Sequence, residues 1–377
     1  MVKYIGVNDR ITKLFEGQFI IPEGISYNSY IIFDEKICIM DSVDIVKKDE
    51  WLDNVKKELK DKKPDYLVIS HMEPDHSSSI VELLKLYPNV TLVGNAKTFV
   101  MLKQFFPGVS FNNLLTVKDL DVLNLGKSNL TFITAPMVHW PEVMVSYLDT
   151  EHILFSADAF GKFGALDFDD PEGWSCEARR YYFGIVGKYG AQVQALFKKI
   201  ANYDIKKIYP LHGPLLEDNL SEYLSLYDTW SKYEPEKNGT VILYTSVYGN
   251  TALAAKELGK LVKDSEVMDL IDEDIYECVE SAFEYKNIVL ATTTYNGTIF
   301  PRMLDFINLL KERGFQNRTI AVIENGSWAP TCKKVISGLF EDSKNITILD
   351  EKVTIKSALD DNSRNELKLL ANKLNTL

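Results

Sequence analysis

The chain contains 377 residues, of which 46% are hydrophobic and 25% charged, and its formal net charge is −12. This length exceeds what one hydrophobic core usually serves, so the composition indicates an ordinary globular protein of two domains. The negative charge argues against a nucleic-acid partner, which is bound through a surplus of Lys and Arg. No apolar run approaches the roughly 20 residues of a membrane span, and the amino-terminal residues lack a signal-peptide pattern. We therefore expect a cytoplasmic protein with no membrane partner.

The four cysteines limit the kinds of metal site that this chain can contain. Cys38, Cys176, Cys278 and Cys332 lie far apart and form no Cys-x-x-Cys pair. Short thiolate pairs build zinc knuckles and rubredoxin-type iron sites, so the spacing excludes both, and it offers no disulfide framework. Isolated cysteines of this kind usually pack as small buried hydrophobes.

The first part of the chain, residues 1–236, is predicted to be a mixed α/β domain. Two apolar segments on either side of Asp34-Glu35 predict a β-hairpin. Strands and helices then alternate, which indicates mixed sheets covered by helices. The main predicted strands are residues 66–70, 90–93, 130–134, 153–156 and 207–209, and the main predicted helix is residues 181–200.

The best domain boundary lies at residues 233–239, where proline, glycine and charged residues interrupt the apolar pattern. Residues 240–377 then form the second predicted domain. Its five short strands alternate with helical segments, which is typical of a doubly wound parallel sheet. The predicted strands are residues 241–244, 266–270, 287–291, 319–323 and 346–349, and two of the predicted helices are residues 251–263 and 301–313.

Histidines and acidic residues follow several predicted strands of the first domain. Strand ends meet at one edge of a sheet, so residues there can form a site together, although a lone His or Asp is more often structural. The segment His71-x-Glu73-x-Asp75-His76 is different, because neither a hydrophobic core nor a helix cap explains four potential ligands within six positions. Pro74 also argues against a regular helix in this segment. The candidate metal ligands are His71, Glu73, Asp75, His76, His139, Asp158 and His212.

These ligand types favour a site for two metal ions. Four imidazoles and three carboxylates suffice if one carboxylate bridges the ions. Oxygen-rich coordination without thiolates suits iron or manganese, although zinc also accepts it. The charge of three carboxylates and one bridging hydroxide balances that of two ferrous ions. No separate acid or base catalyst is predicted beside the ligands.

Three segments after strands of the second domain predict a cofactor site. The first combines hydroxyls with a helix N-terminus, an arrangement that binds phosphate but is also typical of a capped turn. Tyr295 and Trp328 can flank a planar ring, or they can be ordinary core aromatics. No Gly-x-Gly-x-x-Gly follows the first strand, which disfavours a dinucleotide. The candidate cofactor-binding residues are Thr245, Ser246, Val247, Tyr248, Gly249, Asn250, Thr251, Thr293, Thr294, Tyr295, Asn296, Gly297, Asn325, Gly326, Ser327 and Trp328.

The order of these motifs resembles that of the flavodiiron family. The first domain resembles the metallo-β-lactamase fold, whose hydrolases carry His-x-His-x-Asp-His, but Glu73 stands where they have the second histidine. The phrases His139-Trp140-Pro141-Glu142 and Ser156-Ala157-Asp158-Ala159-Phe160-Gly161 also resemble the family. The second domain resembles a flavodoxin, and its three segments resemble a flavodoxin FMN site.

The resemblance implies a cofactor set and a function. Two iron ions are expected: His71, Glu73 and His139 hold the one nearer the flavin, Asp75, His76 and His212 hold the other, and Asp158 bridges them. The implied activity is reduction of O2 to water, of NO to N2O, or of both, through FMN. A head-to-tail homodimer, or a dimer of such dimers, is also implied. No rubredoxin segment follows the second domain, so we expect a separate donor such as a rubredoxin or a reduced deazaflavin coenzyme.

Two other functions stay open at this point. One is a metal-dependent hydrolase with a regulatory flavodoxin domain, which Glu73 disfavours and which iron content and rapid flavin re-oxidation would exclude. The other is a redox carrier or sensor with a vestigial metal site, which the complete ligand set disfavours. The choice between O2 and NO depends on pocket shape and on contacts behind the ligands, which the sequence does not define.

Overall fold

The computed structural model describes residues 1–168 and 173–377. The chain divides into two compact units, Met1–Asp228 and Thr229–Leu377. Residues 229–236 belong to the second unit, where Arg318 Nη1 donates to Tyr233 O at 2.7 Å and Asn317 Nδ2 donates to Lys232 O at 3.2 Å. The domain bounds expected from the sequence, 1–236 and 240–377, stay predictions.

Two mixed sheets form the centre of the first unit. The strands in chain order are β1 (Val2–Tyr4), β2 (Val7–Asp9), β3 (Leu14–Phe15), β4 (Phe19–Ile20), β5 (Ile25–Tyr27), β6 (Tyr30–Phe33), β7 (Ile37–Met40), β8 (Tyr66–Val68), β9 (Thr91–Gly94), β10 (Leu114–Thr116), β11 (Val122–Asn124), β12 (Asn129–Thr134), β13 (Met144–Leu148), β14 (Ile153–Phe155) and β15 (Lys207–Tyr209). One sheet has the order β1-β6-β7-β8-β9-β10 and the other runs from β11 to β15 in sequence. The predicted hairpin is formed by β6 and β7, which pair antiparallel.

The two sheets face each other across a shared hydrophobic core. Tyr30 and Met40 enter this core from the first sheet, and Phe132 and Phe155 enter it from the second. Burying such large apolar side chains stabilises the sandwich by about 1.5–3 kcal/mol each. The helices of this part of the chain are α1 (Lys48–Leu59), α2 (Pro74–Ser77), α3 (Ile80–Leu86), α4 (Ala96–Phe105), α5 (Trp174–Tyr181), α6 (Gly190–Ile200) and α7 (Leu220–Ser231), with a 3-10 turn at Ile45–Lys47.

The predicted helix over residues 181–200 is not continuous, so this prediction was wrong in detail. After α5 the chain forms a π-helical turn at Tyr182–Val186 and a 3-10 turn at Gly187–Tyr189 before α6 begins. Glycines weaken helical geometry here. A Cβ atom on Gly184 would lie 2.7 Å from Phe19 Cε1, so glycine is required by close packing.

The second unit is built on a parallel sheet with the order β17-β16-β18-β20-β21. This is the order 2-1-3-4-5 of a flavodoxin-like doubly wound fold, as predicted. Its strands are β16 (Lys237–Tyr244), β17 (Ser265–Asp269), β18 (Tyr285–Tyr295), β19 (Thr298–Ile299), β20 (Arg318–Asn325) and β21 (Ile346–Ile355). Its helices are α8 (Asn250–Gly259), α9 (Ile275–Glu284), α10 (Pro301–Glu312), α11 (Cys332–Leu339) and α12 (Asp361–Leu374).

The third strand of this sheet is longer than the sequence suggested. β18 continues to Tyr295 and then turns back into β19, with which it pairs antiparallel. Asn296 and Gly297 form the turn, with φ angles of 49° and 78°. Two consecutive positive φ angles are typical of the tight hairpin turn that Asn-Gly favours. None of the helices in the two described ranges is long and apolar enough to cross a membrane.

Candidate metal centre and cofactor loops

The predicted ligands lie in segments that follow strands of the first unit. His71 follows β8, and Glu73 is the residue before α2, which contains the next two ligands. Contrary to expectation, Pro74 does not prevent a helix. It occupies the first helical position, where the backbone N–H makes no hydrogen bond within the helix, so the N–H that proline lacks is not needed. The other ligands, after β12, β14 and β15, are His139, Asp158 and His212.

Four residues, His71, Glu73, His139 and Asp158, bring one donor atom each to a common point, and we name them the first ligand group. The Nε2 atoms of both imidazoles lie 3.1 Å from Glu73 Oε2. Asp158 Oδ2 lies 3.3 Å from His71 Nε2 and 3.1 Å from His139 Nε2. These separations suit neighbouring ligands around one ion with bonds of about 2.0–2.2 Å.

Asp75, His76 and His212 form a second ligand group. His76 Nε2 lies 3.0 Å from His212 Nε2 and 3.2 Å from Asp75 Oδ2. His212 Nε2 is also 3.2 Å from Asp75 Oδ2. Among the described residues, neither carboxylate oxygen of Asp75 has a hydrogen-bond partner. A buried carboxylate without a hydrogen bond is costly, so these three donors fit a bound cation.

Asp158 joins the two groups. Its Oδ2 atom belongs to the first group, whereas its Oδ1 atom lies 3.2 Å from His76 Nε2 and 3.7 Å from His212 Nε2 in the second. The side chain is buried, and Oδ1 has no hydrogen-bond partner within residues 1–168 and 173–377. A carboxylate that directs one oxygen toward each group has the geometry of a bridge between two ions.

Hydrogen bonds on the far side of two rings orient them toward the site. His71 Nδ1 donates to Glu142 Oε1 at 2.8 Å, and His212 Nδ1 donates to Ser26 O at 2.8 Å. Because a carboxylate and a carbonyl oxygen only accept, both rings carry a proton on Nδ1. Each ring therefore directs Nε2 to its ligand group, as metal-binding histidines do.

Glu142 and Ser26 are not among the site residues predicted from the sequence. Glu142 is fully buried, and its Oε1 atom also accepts from Met72 N at 2.9 Å. The signal for Glu142 was its place in the phrase that begins at His139, where an acidic residue follows a candidate ligand. Nothing in the sequence indicated Ser26, because its contact is made by a backbone oxygen. Trp140 stands edge-on to His71, with ring centroids 5.0 Å apart.

The charges within the cluster compensate one another. Burial lowers the pKa of His139, but the carboxylates of Asp158 and Glu73 outweigh it and raise the pKa to about 9. Burial raises the pKa of Asp158, but His71 and His139 outweigh it and hold the pKa well below its usual range. The anionic carboxylates thus favour positive charge at this point, which protons or metal cations can supply.

A cavity of about 270 Å³ adjoins one ligand of each group, Glu73 and Asp75. Phe15 and Tyr27 form part of its wall. Both rings also stand edge-on to His212, with centroid distances of 5.4 and 5.9 Å. The cavity therefore lies directly beside both ligand groups.

The first predicted cofactor segment, residues 245–251, leads into α8. Gly249 has a φ of 86°, a conformation that favours glycine. Among the described residues, no side chain caps the helix that begins at Asn250. Uncapped N–H groups at a helix N-terminus suit an anion. Tyr248 is 92% exposed, whereas Thr245 is buried and its hydroxyl lies 2.7 Å from that of Thr292.

The other two predicted segments lie at the same edge of the sheet. Thr293 Oγ1 donates to Asn325 O at 3.2 Å, and Asn325 Nδ2 donates to Thr251 Oγ1 at 3.3 Å, so the three segments are in contact. Trp328 is 92% exposed and Tyr295 is 45% exposed, which excludes the alternative that they are core aromatics. Exposed aromatic rings beside a helix N-terminus that has no side-chain cap fit a planar cofactor with a phosphate.

Comparison with known proteins agrees with this architecture. Residues 25–213 match the model of a family described as ODP family beta lactamase. An anaerobic nitric oxide reductase flavorubredoxin of Aliivibrio fischeri is 29% identical over 343 residues, which are 87% of this chain and 68% of that protein.

Two solved structures extend the similarity to the whole chain. The flavodiiron protein from Giardia intestinalis has a TM-score of 0.90 and 25% identity, covering 100% of this chain and 95% of that one. The rubredoxin oxygen:oxidoreductase from Desulfovibrio gigas has a TM-score of 0.91 and 24% identity, and the match covers 100% of this chain and 96% of that one. At this identity the match supports the similarity of fold only.

Proposed function

This chain belongs to the ODP family of β-lactamase-like proteins and is a flavodiiron protein, and we propose that it reduces O2, NO or both at a diiron centre. Electrons reach this centre through FMN from an external donor. The observation that carries the proposal is Asp158, whose two carboxylate oxygens face two separate ligand groups. With such a bridge the two ligand groups would hold two ions, which would supply redox chemistry to a small diatomic substrate.

The donor set of the described residues fits iron. Each ligand group offers two imidazoles and one carboxylate of its own, and Asp158 is shared. Nitrogen and oxygen donors without thiolates suit iron and leave positions open for a substrate. When bound, two ferrous ions and reduced FMN supply four electrons, which matches the reduction of O2 to two waters and exceeds the two electrons that coupling of two NO to N2O needs.

In this mechanism the protein itself orients the histidine rings and gives the substrate access to the ligands. Glu142 and Ser26 hold the rings of His71 and His212 in the direction that ligation requires. These hydrogen bonds fix the tautomer of each ring and leave Nε2 available to bind a metal ion. The cavity beside Glu73 admits a small substrate and lets product water leave.

We place FMN at the carboxyl edge of the parallel sheet in the second unit. The uncapped start of α8 would hold the phosphate, and the exposed rings of Tyr295 and Trp328 would flank the flavin. A flavin held in this way accepts and passes electrons by its own chemistry, and the protein contributes placement and electrostatics.

The electron donor is proposed on the name of a similar protein. The similar protein, that of Aliivibrio fischeri, is named a flavorubredoxin, which supports a rubredoxin as donor. A reduced deazaflavin coenzyme is the other donor class that we propose. The head-to-tail homodimer, or a dimer of dimers, and the cytoplasmic location stay predictions.

The test is gas consumption by protein whose iron and FMN have been quantified. With a reduced donor in excess, an O2 electrode and an NO electrode should each be read before and after chelation of iron. Consumption of at least one gas that disappears on chelation supports the proposal. A zinc-loaded protein that consumes neither gas but hydrolyses an ester or amide would favour the hydrolase, and an iron- and FMN-loaded protein that only exchanges electrons would favour the carrier.

A further inference from the structure

Asn325 stands at the junction of the predicted cofactor segments. It is the last residue of β20, its side chain is largely buried, and it is one of the predicted cofactor-binding residues. Its amide instead makes three hydrogen bonds within the protein, two to the backbone of Ser357 and one to the hydroxyl of Thr251. Ser357 follows the fifth strand and was not part of any predicted segment.

The bonds to Ser357 fix which way the amide of Asn325 points. Ser357 N donates to Asn325 Oδ1 at 3.2 Å, and Asn325 Nδ2 donates to Ser357 O at 3.2 Å. A backbone N–H can only donate and a backbone carbonyl can only accept, so the reverse orientation of the amide is excluded. Ser357 has a φ of 76°, a conformation that serine rarely adopts, and the paired amide helps to hold it there.

This orientation determines what the Thr251 hydroxyl can do. The second N–H of the Asn325 amide donates to Thr251 Oγ1 at 3.3 Å. A hydroxyl that accepts this bond keeps its own proton for another acceptor. Thr251 is the second residue of α8, at the uncapped helix start where an anion is expected.

We propose that Asn325 is a positioning residue that makes Thr251 a hydrogen-bond donor to the phosphate of FMN. Asn325 acts through Thr251 and does not contact the flavin ring. This inference rests on the proposed FMN site. It predicts that loss of the amide weakens recognition of the phosphate and leaves recognition of the ring nearly intact.

The experiment compares two flavins that differ in the phosphate. Apoprotein is titrated with FMN and with riboflavin, and quenching of flavin fluorescence gives the ratio of the riboflavin Kd to the FMN Kd. Asn325→Leu should lower this ratio about tenfold or more, because hydrogen bonds to charged groups are the stronger ones. Thr251→Val should lower it to a similar extent, and Thr251→Ser, which keeps the hydroxyl, should preserve it.

A matched control is Asn287→Leu. Asn287 is also buried, but it donates to the carbonyls of Asn238 and Gly239 at the opposite edge of the same sheet. Its removal tests whether loss of any buried amide in this unit disturbs flavin binding. The ratio should stay at the wild-type value, and thermal unfolding should show that all variants are folded.

The double variant Asn325→Leu with Thr251→Val separates a direct from an indirect role. If Asn325 acts through Thr251, the double variant has the same ratio as Thr251→Val alone. An equal loss of FMN and riboflavin affinity in Asn325→Leu, or a further drop of the ratio in the double variant, would overturn the inference. Wild-type apoprotein that binds both flavins equally, or neither, would overturn the proposed FMN site itself and this inference with it.

Discussion

The carboxylate of Glu142 accepts a hydrogen bond from Nδ1 of His71 at 2.8 Å, although the two residues are 71 positions apart in the chain. The same oxygen accepts from Met72 N, so one buried side chain fixes both the ring and the backbone beside it. Contacts of this kind hold a metal-binding ring in one tautomer and increase its basicity.

Replacing Glu142 by Gln is predicted to weaken iron binding about 10- to 100-fold. The amide oxygen can still accept from His71, but the negative charge that strengthens this bond is lost. Iron retention against a graded series of chelator concentrations measures the effect. The control is Glu217→Gln, which should retain iron. It alters a partly exposed carboxylate in the same unit that accepts a hydrogen bond from the Tyr209 hydroxyl. Equal retention by both variants would remove Glu142 from the metal centre.

Asp158→Ala is predicted to lose iron and gas reduction while it retains FMN. The reason is that Asp158 offers an oxygen to each ligand group, so its loss affects both ions. Iron and FMN per chain are measured together with gas consumption. His152→Ala is the control, because His152 is the one histidine outside both groups and should keep its iron. Full activity of an iron-replete Asp158→Ala protein would contradict the bridging assignment.

Trp328→Ala is predicted to weaken FMN binding or to shift the FMN reduction potential without changing the thermal unfolding temperature. A side chain that is 92% exposed contributes little to the packed core, so the effect must arise from the bound flavin. The titration and the potential are compared with those of Leu369→Ala, which removes another exposed apolar side chain of the second unit. Unchanged affinity and potential in Trp328→Ala would exclude Trp328 from the site.

The metal-free protein is predicted to lose stability as the pH rises from about 6.5 to about 9. His139 has a folded pKa of about 9 against an ordinary value of 6.5. Because the pKa of His139 is raised on folding, its proton stabilises the folded state, and this stabilisation is complete below about pH 6.5. It is lost as the pH rises through about 9 and the folded protein releases the proton. The lowered pKa of Asp158 adds no change in this window, because its contribution is already complete at pH 6.5.

Thermal unfolding of chelator-treated protein at several pH values measures this loss. The metal-loaded protein should show a smaller decrease, because a cation replaces the proton on the ring. Metal-free His139→Gln should also show a smaller decrease between pH 6.5 and 9 than the metal-free wild type. A wild-type unfolding temperature that rises across this window would contradict the charge balance inferred for the cluster.

Much of the fold was predictable because it rests on local patterns. Apolar strands alternating with helices predicted the parallel sheet of the second unit, and residue types and spacing predicted the seven candidate ligands. The structure brings these ligands into two adjacent groups. The Asn296-Gly297 hairpin was missed, although the dipeptide is a strong turn signal, because the preceding threonines were interpreted as a loop.

The contacts behind the ligands and loops were not predictable from one sequence. Glu142 meets His71, and Asn325 meets Ser357, only after distant segments have packed. The break between α5 and α6 has the same origin, since Gly184 is required by the approach of Phe19 from elsewhere in the chain. Local propensity describes single elements, whereas these features depend on pairs of elements.

The most direct test of the central claim is anaerobic stopped-flow spectroscopy of reduced protein containing two irons and one FMN per chain. The protein is mixed with O2 and, separately, with NO, and flavin re-oxidation is followed. We predict fast re-oxidation by at least one gas, and the ratio of the two rates identifies the preferred substrate. Slow re-oxidation by both gases, at a rate unchanged when iron is replaced by zinc, would contradict the account.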